Sequence, residues 1–189
     1  MYTEWEEFEL NCRKCTACDL ADTRKNVVIG RGAHSAKVLF VGEGPGEQED
    51  IQGLPFVGPA GQLLSMVLEA CRFSKDEYYI ANIVKCRPPF NRAPNANEVR
   101  ACVEHLRNQF MLIKPEVIVC LGSVAVKSLI DPNSQITKIR GQWIERKNIR
   151  FMSTFHPAAV LHDKDGGNIK KKYIFDDIMK VKEYLLENV

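Results

Sequence analysis

Five cysteines stand in two groups whose spacing could hold a metal. CRKCTAC at 12–18 offers two overlapping C-x2-C pairs, Cys12 with Cys15 and Cys15 with Cys18. Cys86 and Cys102 bracket fifteen residues that contain three prolines, three asparagines and three arginines. That density of Pro and Asn marks irregular loop rather than an element interior. One C-x2-C pair plus two distant thiolates supplies four soft ligands, enough for zinc or for an iron–sulfur cluster, and the spacing leaves both open. Seven cysteines is an odd and high count for a reducing compartment, where metal binding is expected before a disulfide framework. The remaining two, Cys71 in LEACRF and Cys120 in VIVCLG, sit in apolar runs and read as small buried hydrophobes.

A second set of residues could form a ligand site. GEGPGE at 42–47 has its glycines as G-x-G-x-G with Pro45 where a dinucleotide fingerprint would begin its helix, so that reading fails. A tight turn whose backbone N–H groups face a ligand fits better, against a plain strand-to-loop turn. Phe56, between Pro55 and Gly58, is a core aromatic or a ring that stacks on a flat ligand. Asn82 lies near the end of an apolar stretch, where its carboxamide needs partners. It donates and accepts at once, which suits the edge of a nucleobase. A lone histidine is more often structural than catalytic, but His156 falls just after another apolar stretch, beside Pro157.

The elements that would bring these residues together alternate. KVLFVG (37–42), YYIANIV (78–84), EVIVCLG (116–122) and RFMSTF (150–155) read as buried strands. Between them, 60–73 has apolar residues at helical spacing, and 95–113 reads as a helix opened by Asn95 or Asn97. SVAVKSLI continues as helix after the third strand, and 173–189 is amphipathic. The pattern predicts an α/β fold, a three-layer α/β/α sandwich around a central, mainly parallel four-stranded sheet, as a single domain over 1–189. In such sheets ligands bind outside the carboxyl ends of the strands. The glycine turn, Asn82, GSVAV and His156 should therefore meet at one edge.

Composition is that of an ordinary globular chain, with 45% hydrophobic and 26% charged residues. The acidic start MYTEWEEFEL has no apolar signal core, and no run approaches the length of a membrane span. A cytoplasmic protein is expected. Net charge is only +2, but residues 138–150 carry Lys138, Arg140, Arg146, Lys147 and Arg150 against one acid, and 170–172 are KKK. A basic face for a polyanion and a merely solvated surface are equally compatible with that.

GEGPGEQED, LPFVGPAGQLL, ANIVKCRPPFNRAPNANEV, VIVCLGSVAV and TFHPAAVL, in this order, resemble the iron–sulfur (family 4) uracil-DNA glycosylases. The resemblance runs from about Cys15 to Leu161, and the combination is specific where each motif alone is weak. It implies hydrolysis of the bond between uracil and deoxyribose in DNA, by a monomer, as the first step of base excision repair. It implies a [4Fe–4S] cluster on Cys15, Cys18, Cys86 and Cys102, the first pair chosen by the interval to NVVIGRG, with Cys12 extra. Uracil would be bound by Phe56 stacking, Asn82 at the Watson–Crick edge, backbone around Glu43 and Gly44, and a hydrogen bond from His156. Arg87 and Arg92 would meet phosphates, and Val160 or Leu161 would fill the vacated stack.

Four differences from other uracil glycosylases or from other members of the family qualify the resemblance. Other uracil glycosylases carry GQDPYH, whose aspartate positions water; Gly44 stands there, as it generally does in the iron–sulfur family, which leaves Glu43 and Glu47 as the nearest carboxylates. Gly46 replaces the tyrosine that excludes thymine. Val160 stands where many relatives have leucine, and no basic, histidine-rich insert follows Lys85 as in relatives that bind DNA covalently, so turnover is expected. Two alternatives remain: a relative that binds uracil-DNA or other nucleic acid without excision, and a zinc-stabilised nucleotide-binding domain.

Overall fold

The computed structural model describes residues 3–146, 149–161, 163 and 168–188. Helices α1 (Glu4–Arg13) and α2 (Leu20–Thr23) precede a two-residue strand, β1 (Arg31–Gly32). Next come β2 (Val38–Gly42), α3 (Glu47–Gln52), α4 (Pro59–Ala70) and β3 (Tyr78–Asn82). A 3-10 turn at Pro89–Asn91 leads to α5 (Ala96–Ile113), β4 (Val117–Leu121), α6 (Ser123–Leu129) and α7 (Ile136–Ile139). Then follow β5 (Trp143–Arg146), β6 (Ile149–Thr154), α8 (Ala158–Leu161) and α9 (Asn168–Glu187). No helix among the described residues is long and apolar enough to cross a membrane.

The strands form one sheet in the order β1-β3-β2-β4-β6-β5. Its four middle strands are parallel and are the four expected; β1 and β5 flank them antiparallel. The expectation of a four-stranded sheet is thus corrected to a six-stranded, mixed one. The physical reason is that edge strands need no continuous apolar run. Only two residues form β1, and Trp143, Glu145 and Arg146 of β5 are all exposed. By contrast β2 and β4 are buried at every position, which is why their sequences read as unbroken apolar runs.

Side chains alternate between two cores, as the period of two requires. Leu39, Val41, Ala81, Ile118, Cys120 and Phe151 face a layer containing α1, α5 and α6. Val38, Phe40, Ile80, Val119, Leu121 and Met152 face α4 and α9. The three-layer arrangement is therefore present. Of the two possible caps, Asn95 opens α5: its Oδ1 accepts the N–H groups of Asn97 and Glu98, and Glu98 reaches back to the Asn95 N–H. The acidic start is itself a helix, α1, capped in the same reciprocal way by Thr3 and Glu6. The final helix begins at Asn168, before the expected Tyr173.

Reading outward from β2, the chain first goes to β3 on one side and then to β4 on the other. This reversal opens a crevice at the carboxyl ends of the strands. Gly42 pairs with Asn82 and Leu121 with Thr154, so the segments that follow these strands emerge at a common edge.

Candidate active site

At that edge lies a cavity of about 420 Å³, walled by the turn after β2, the end of β3, the loop after β3 and the segment after β6. Asn82 is 2% exposed and its Oδ1 has no hydrogen-bond partner. Leaving a buried acceptor unmet costs about 1–3 kcal/mol, so the atom is poised for a donor from a ligand. The ring of Phe56 closes over the same strand end. A Cβ on Gly42 would lie 2.5 Å from Asn82 Oδ1 and 2.6 Å from Phe56 Cζ, so only glycine lets both groups close over the strand end.

Phe56 has a left-handed backbone (φ 54°), an arrangement its neighbours must impose. Arg31 Nη2 donates to its carbonyl at 3.1 Å. The next two amides, of Val57 and Gly58, both donate to Glu49 Oε1 at 2.9 Å. Glu49, on α3, also lines the cavity.

His156 completes the wall, its ring centroid 5.7 Å from that of Phe56 and tilted by 31°. Its Nδ1 accepts the Ala158 N–H at 3.2 Å, which puts the proton of the neutral ring on Nε2. Burial pushes the imidazole pKa down to about 4, with the Glu49 carboxylate opposing the shift. At neutral pH the ring is therefore an uncharged Nε2–H donor. Gly122, at φ +89°, gives the histidine room: a Cβ there would lie 2.9 Å from His156 Cβ. Glu43, half-buried in the same wall, has its carboxyl pKa raised by burial.

Pro88, Asn91 and Arg92 close the remaining side from the loop after β3. Arg92 grips Glu98 through two bonds of 2.8 and 2.6 Å, and Arg87 bonds Asn91 Oδ1 at 2.8 Å and Glu47 Oε1 at 3.3 Å. Such planar two-point contacts fix geometry as well as charge.

The opposite end of this loop reaches the cysteines. Cys12, Cys15, Cys18, Cys86 and Cys102 all line one narrow cavity between the α1–α2 turn, the loop and α5. The Lys85 N–H points at Cys102 Sγ (3.2 Å), and Arg24 Nη1 lies 3.4 Å from Cys86 Sγ and 2.7 Å from the Cys15 carbonyl. No three His, Cys, Asp or Glu side chains among the described residues converge tightly enough to hold a single metal ion. Five sulfurs around one cavity, two of them receiving N–H donors, suit a larger thiolate-held group such as an iron–sulfur cluster.

A sequence profile of the Uracil DNA glycosylase superfamily matches residues 29–179. The chain belongs to that superfamily. It is 42% identical over 192 aligned positions to the type-4 uracil-DNA glycosylase of Thermotoga maritima, covering 98% of each chain. With the enzymes of the same name from Saccharolobus solfataricus and Archaeoglobus fulgidus it shares 41% over 182 positions (92% of this chain, 82% of that one) and 42% over 161 (81% and 79%).

Of the superfamily residues expected from the sequence, Glu43, Gly44, Phe56, Asn82, Arg92 and His156 meet in the cavity. Glu47 does not line it; its carboxylate is exposed and faces Arg87. Arg87 and Arg92 reach the loop surface, but both guanidiniums already hold partners, Arg87 on Asn91 and Glu47 and Arg92 on Glu98 in the first turn of α5. Val160 packs partly into the core, whereas Leu161 is 50% exposed. The basic stretch 138–150 is largely committed to the fold: Arg140 pairs with buried Asp177, Arg146 meets the Ile130 carbonyl and Arg150 lies over the Tyr184 ring. Lys147 lies outside the described residues. Glu49, Arg31 and Glu98 were not expected. Only Glu98 left a signal, three residues after its cap.

Proposed function

We propose that the chain excises uracil from DNA as a uracil-DNA glycosylase of the type-4 kind, leaving an abasic site for base excision repair. The observation that carries this reading is the buried Asn82 carboxamide with an unmet acceptor, facing an aromatic ring and a neutral histidine in one cavity. Uracil N3–H is the donor that Asn82 Oδ1 lacks, and uracil O4 accepts from the amide nitrogen. Cytosine presents an acceptor at N3 and a donor at C4, so both contacts would turn repulsive. Phe56 stacks on the flipped base, whose extraction from the helix costs a few kcal/mol.

Chemistry then follows from charge. As the C1′–N1 bond breaks, its electron pair goes to the base, and uracil leaves as an anion with charge on O2. The Nε2–H of neutral His156 donates to that oxygen, and the backbone at Glu43 and Gly44 supports the base carbonyls. Preorganised donors of this sort are commonly worth about 3 kcal/mol each. Water adds its oxygen to C1′ and gives up a proton that neutralises the departing uracil anion. Glu43 orients that water, since Glu49, the other carboxylate lining the cavity, is held by the Val57 and Gly58 amides and Glu47 points to solvent. Arg87 and Arg92 brace the loop that the DNA backbone contacts, and Leu161, with Val160 behind it, fills the vacated stack.

Cys15, Cys18, Cys86 and Cys102 would hold a [4Fe–4S] cluster, with Cys12, wholly buried beside Phe8, as core. Bound there, the cluster supplies a cross-link between the α1–α2 turn, the loop and α5, and takes no part in bond cleavage. The protein, acting as a monomer, is tested by incubation with uracil-containing single-stranded and duplex DNA followed by alkali. Strand scission at uracil is the expected result; tight binding without abasic sites would favour a non-excising relative. A colourless, zinc-loaded preparation would contradict the cluster.

A further inference from the structure

Phe90 has no role in the pocket or the cysteine site, yet it is 99% exposed. Among the described residues, the next most exposed large apolar side chain, Leu186, is at 65%. Lone exposed hydrophobics are ordinary on protein surfaces. This one is set apart by how firmly its backbone is held outward. Phe90 and Asn91 are consecutive left-handed residues, at φ 56° and 55°, a conformation non-glycine residues rarely adopt. It is braced on both sides: Asn91 N–H bonds the Pro88 carbonyl at 3.1 Å, Arg92 N–H the Pro89 carbonyl at 3.2 Å, and Arg87 Nε the Asn91 side chain at 2.8 Å. A strained turn that projects an aromatic ring into solvent points to a partner outside the chain.

The position of the turn identifies the partner. Pro88, Asn91 and Arg92, the near neighbours of Phe90, all line the cavity. A ring between them stands at the rim, where the strand carrying a flipped nucleotide must pass. We propose that Phe90 is a base-stacking platform: its ring stacks on the base adjacent to the flipped uracil, in the same strand, holding that strand open at the rim. The proposal rests on the uracil-excision reading of the pocket. Stacking on an aromatic ring tolerates any base, so Phe90 contributes grip and not sequence preference.

The test uses oligonucleotides carrying 2′-fluoro-2′-deoxyuridine, whose glycosidic bond resists cleavage, flanked on either side by the fluorescent base 2-aminopurine. Wild type, Phe90→Ala, Phe90→Leu and Phe90→Trp are compared by anisotropy and by 2-aminopurine emission. Phe90→Ala should weaken binding about fivefold or more and brighten the flanking probe, because the quenching stack is gone. Phe90→Trp should restore both and Phe90→Leu should not. Binding by Phe90→Ala within twofold of wild type would overturn the proposal, as would full restoration by Phe90→Leu. The same oligonucleotide with 2′-fluoro-2′-deoxycytidine in place of the uridine analogue separates the two readings. Equal wild-type affinity for both would count against the uracil pocket, whereas the Phe90 comparison depends only on the flanking base.

Discussion

His156 shows how a single side chain is tuned by its surroundings. Its folded pKa, about 4, lies below the roughly 6.5 of an exposed imidazole. The neutral ring therefore adds stability that is complete above about pH 6.5 and is lost as pH falls from there through 4. Protonation would also put a second donor at Nδ1, against the Ala158 N–H that now bonds it. Nitrogen-15 NMR should find the Nε2–H tautomer persisting below pH 6; a midpoint near 6.5 would contradict the buried donor. His156, Asn82 and Phe56 were legible in the sequence because each follows or ends an apolar strand or sits in a glycine-flanked turn. Glu49 was not. Its importance comes from two amides eight and nine residues away and from a histidine in the distant segment after β6, and no local pattern records such contacts.

The segment from Cys86 to Cys102, a loop as far as Asn95 and then the first turns of α5, is the element on which both sites depend. Up to Asn95 its sequence reads as irregular chain, and its prolines leave only one 3-10 turn there. Its order comes instead from Arg87, Arg92, Asn95 and Glu98, whose polar bonds tie it to the start of α5 and to the wall of the cavity. The cysteines at its ends were visible by spacing; the donor from Arg24 to Cys86, across 62 residues of sequence, was not. Cys86→Ser should abolish visible absorption and bound iron, and hydrogen exchange over 87–94 should quicken while β2 and β4 stay protected. Unchanged iron content would remove Cys86 from the ligand set. The edge strands β1 and β5 escaped notice for an opposite reason: they are too short or too exposed to show a hydrophobic period.

Across the whole molecule, two arginines of the charged segment 138–150 tie it to the outer helix α9, Arg140 through Asp177 and Arg150 over the Tyr184 ring. Asp177 of α9 is fully buried and holds both the Arg140 guanidinium (Nε at 2.9 Å) and the Thr154 hydroxyl at 2.7 Å, next to the strand that delivers His156. Asp177→Ala would leave Arg140 largely buried without its partner. A loss of about 3 kcal/mol in urea unfolding is expected, slightly discounted for the guanidinium's residual exposure. A change under about 0.5 kcal/mol would mean the pair is structurally idle. The position of the pocket, at the strand ends where the order reverses about β2, follows from topology alone. What it binds is the proposed part: the unmet acceptor of Asn82 suits an N3–H of the kind uracil presents and cytosine lacks.

Single-turnover excision by Asn82→Ala therefore bears most directly on the uracil pocket. Removing two hydrogen bonds of about 1.5 kcal/mol each predicts a rate near one-hundredth of wild type on uracil-DNA, with iron content and visible spectrum unchanged. Excision by Asn82→Ala at the wild-type rate would contradict the assignment of Asn82 as the group that recognises uracil.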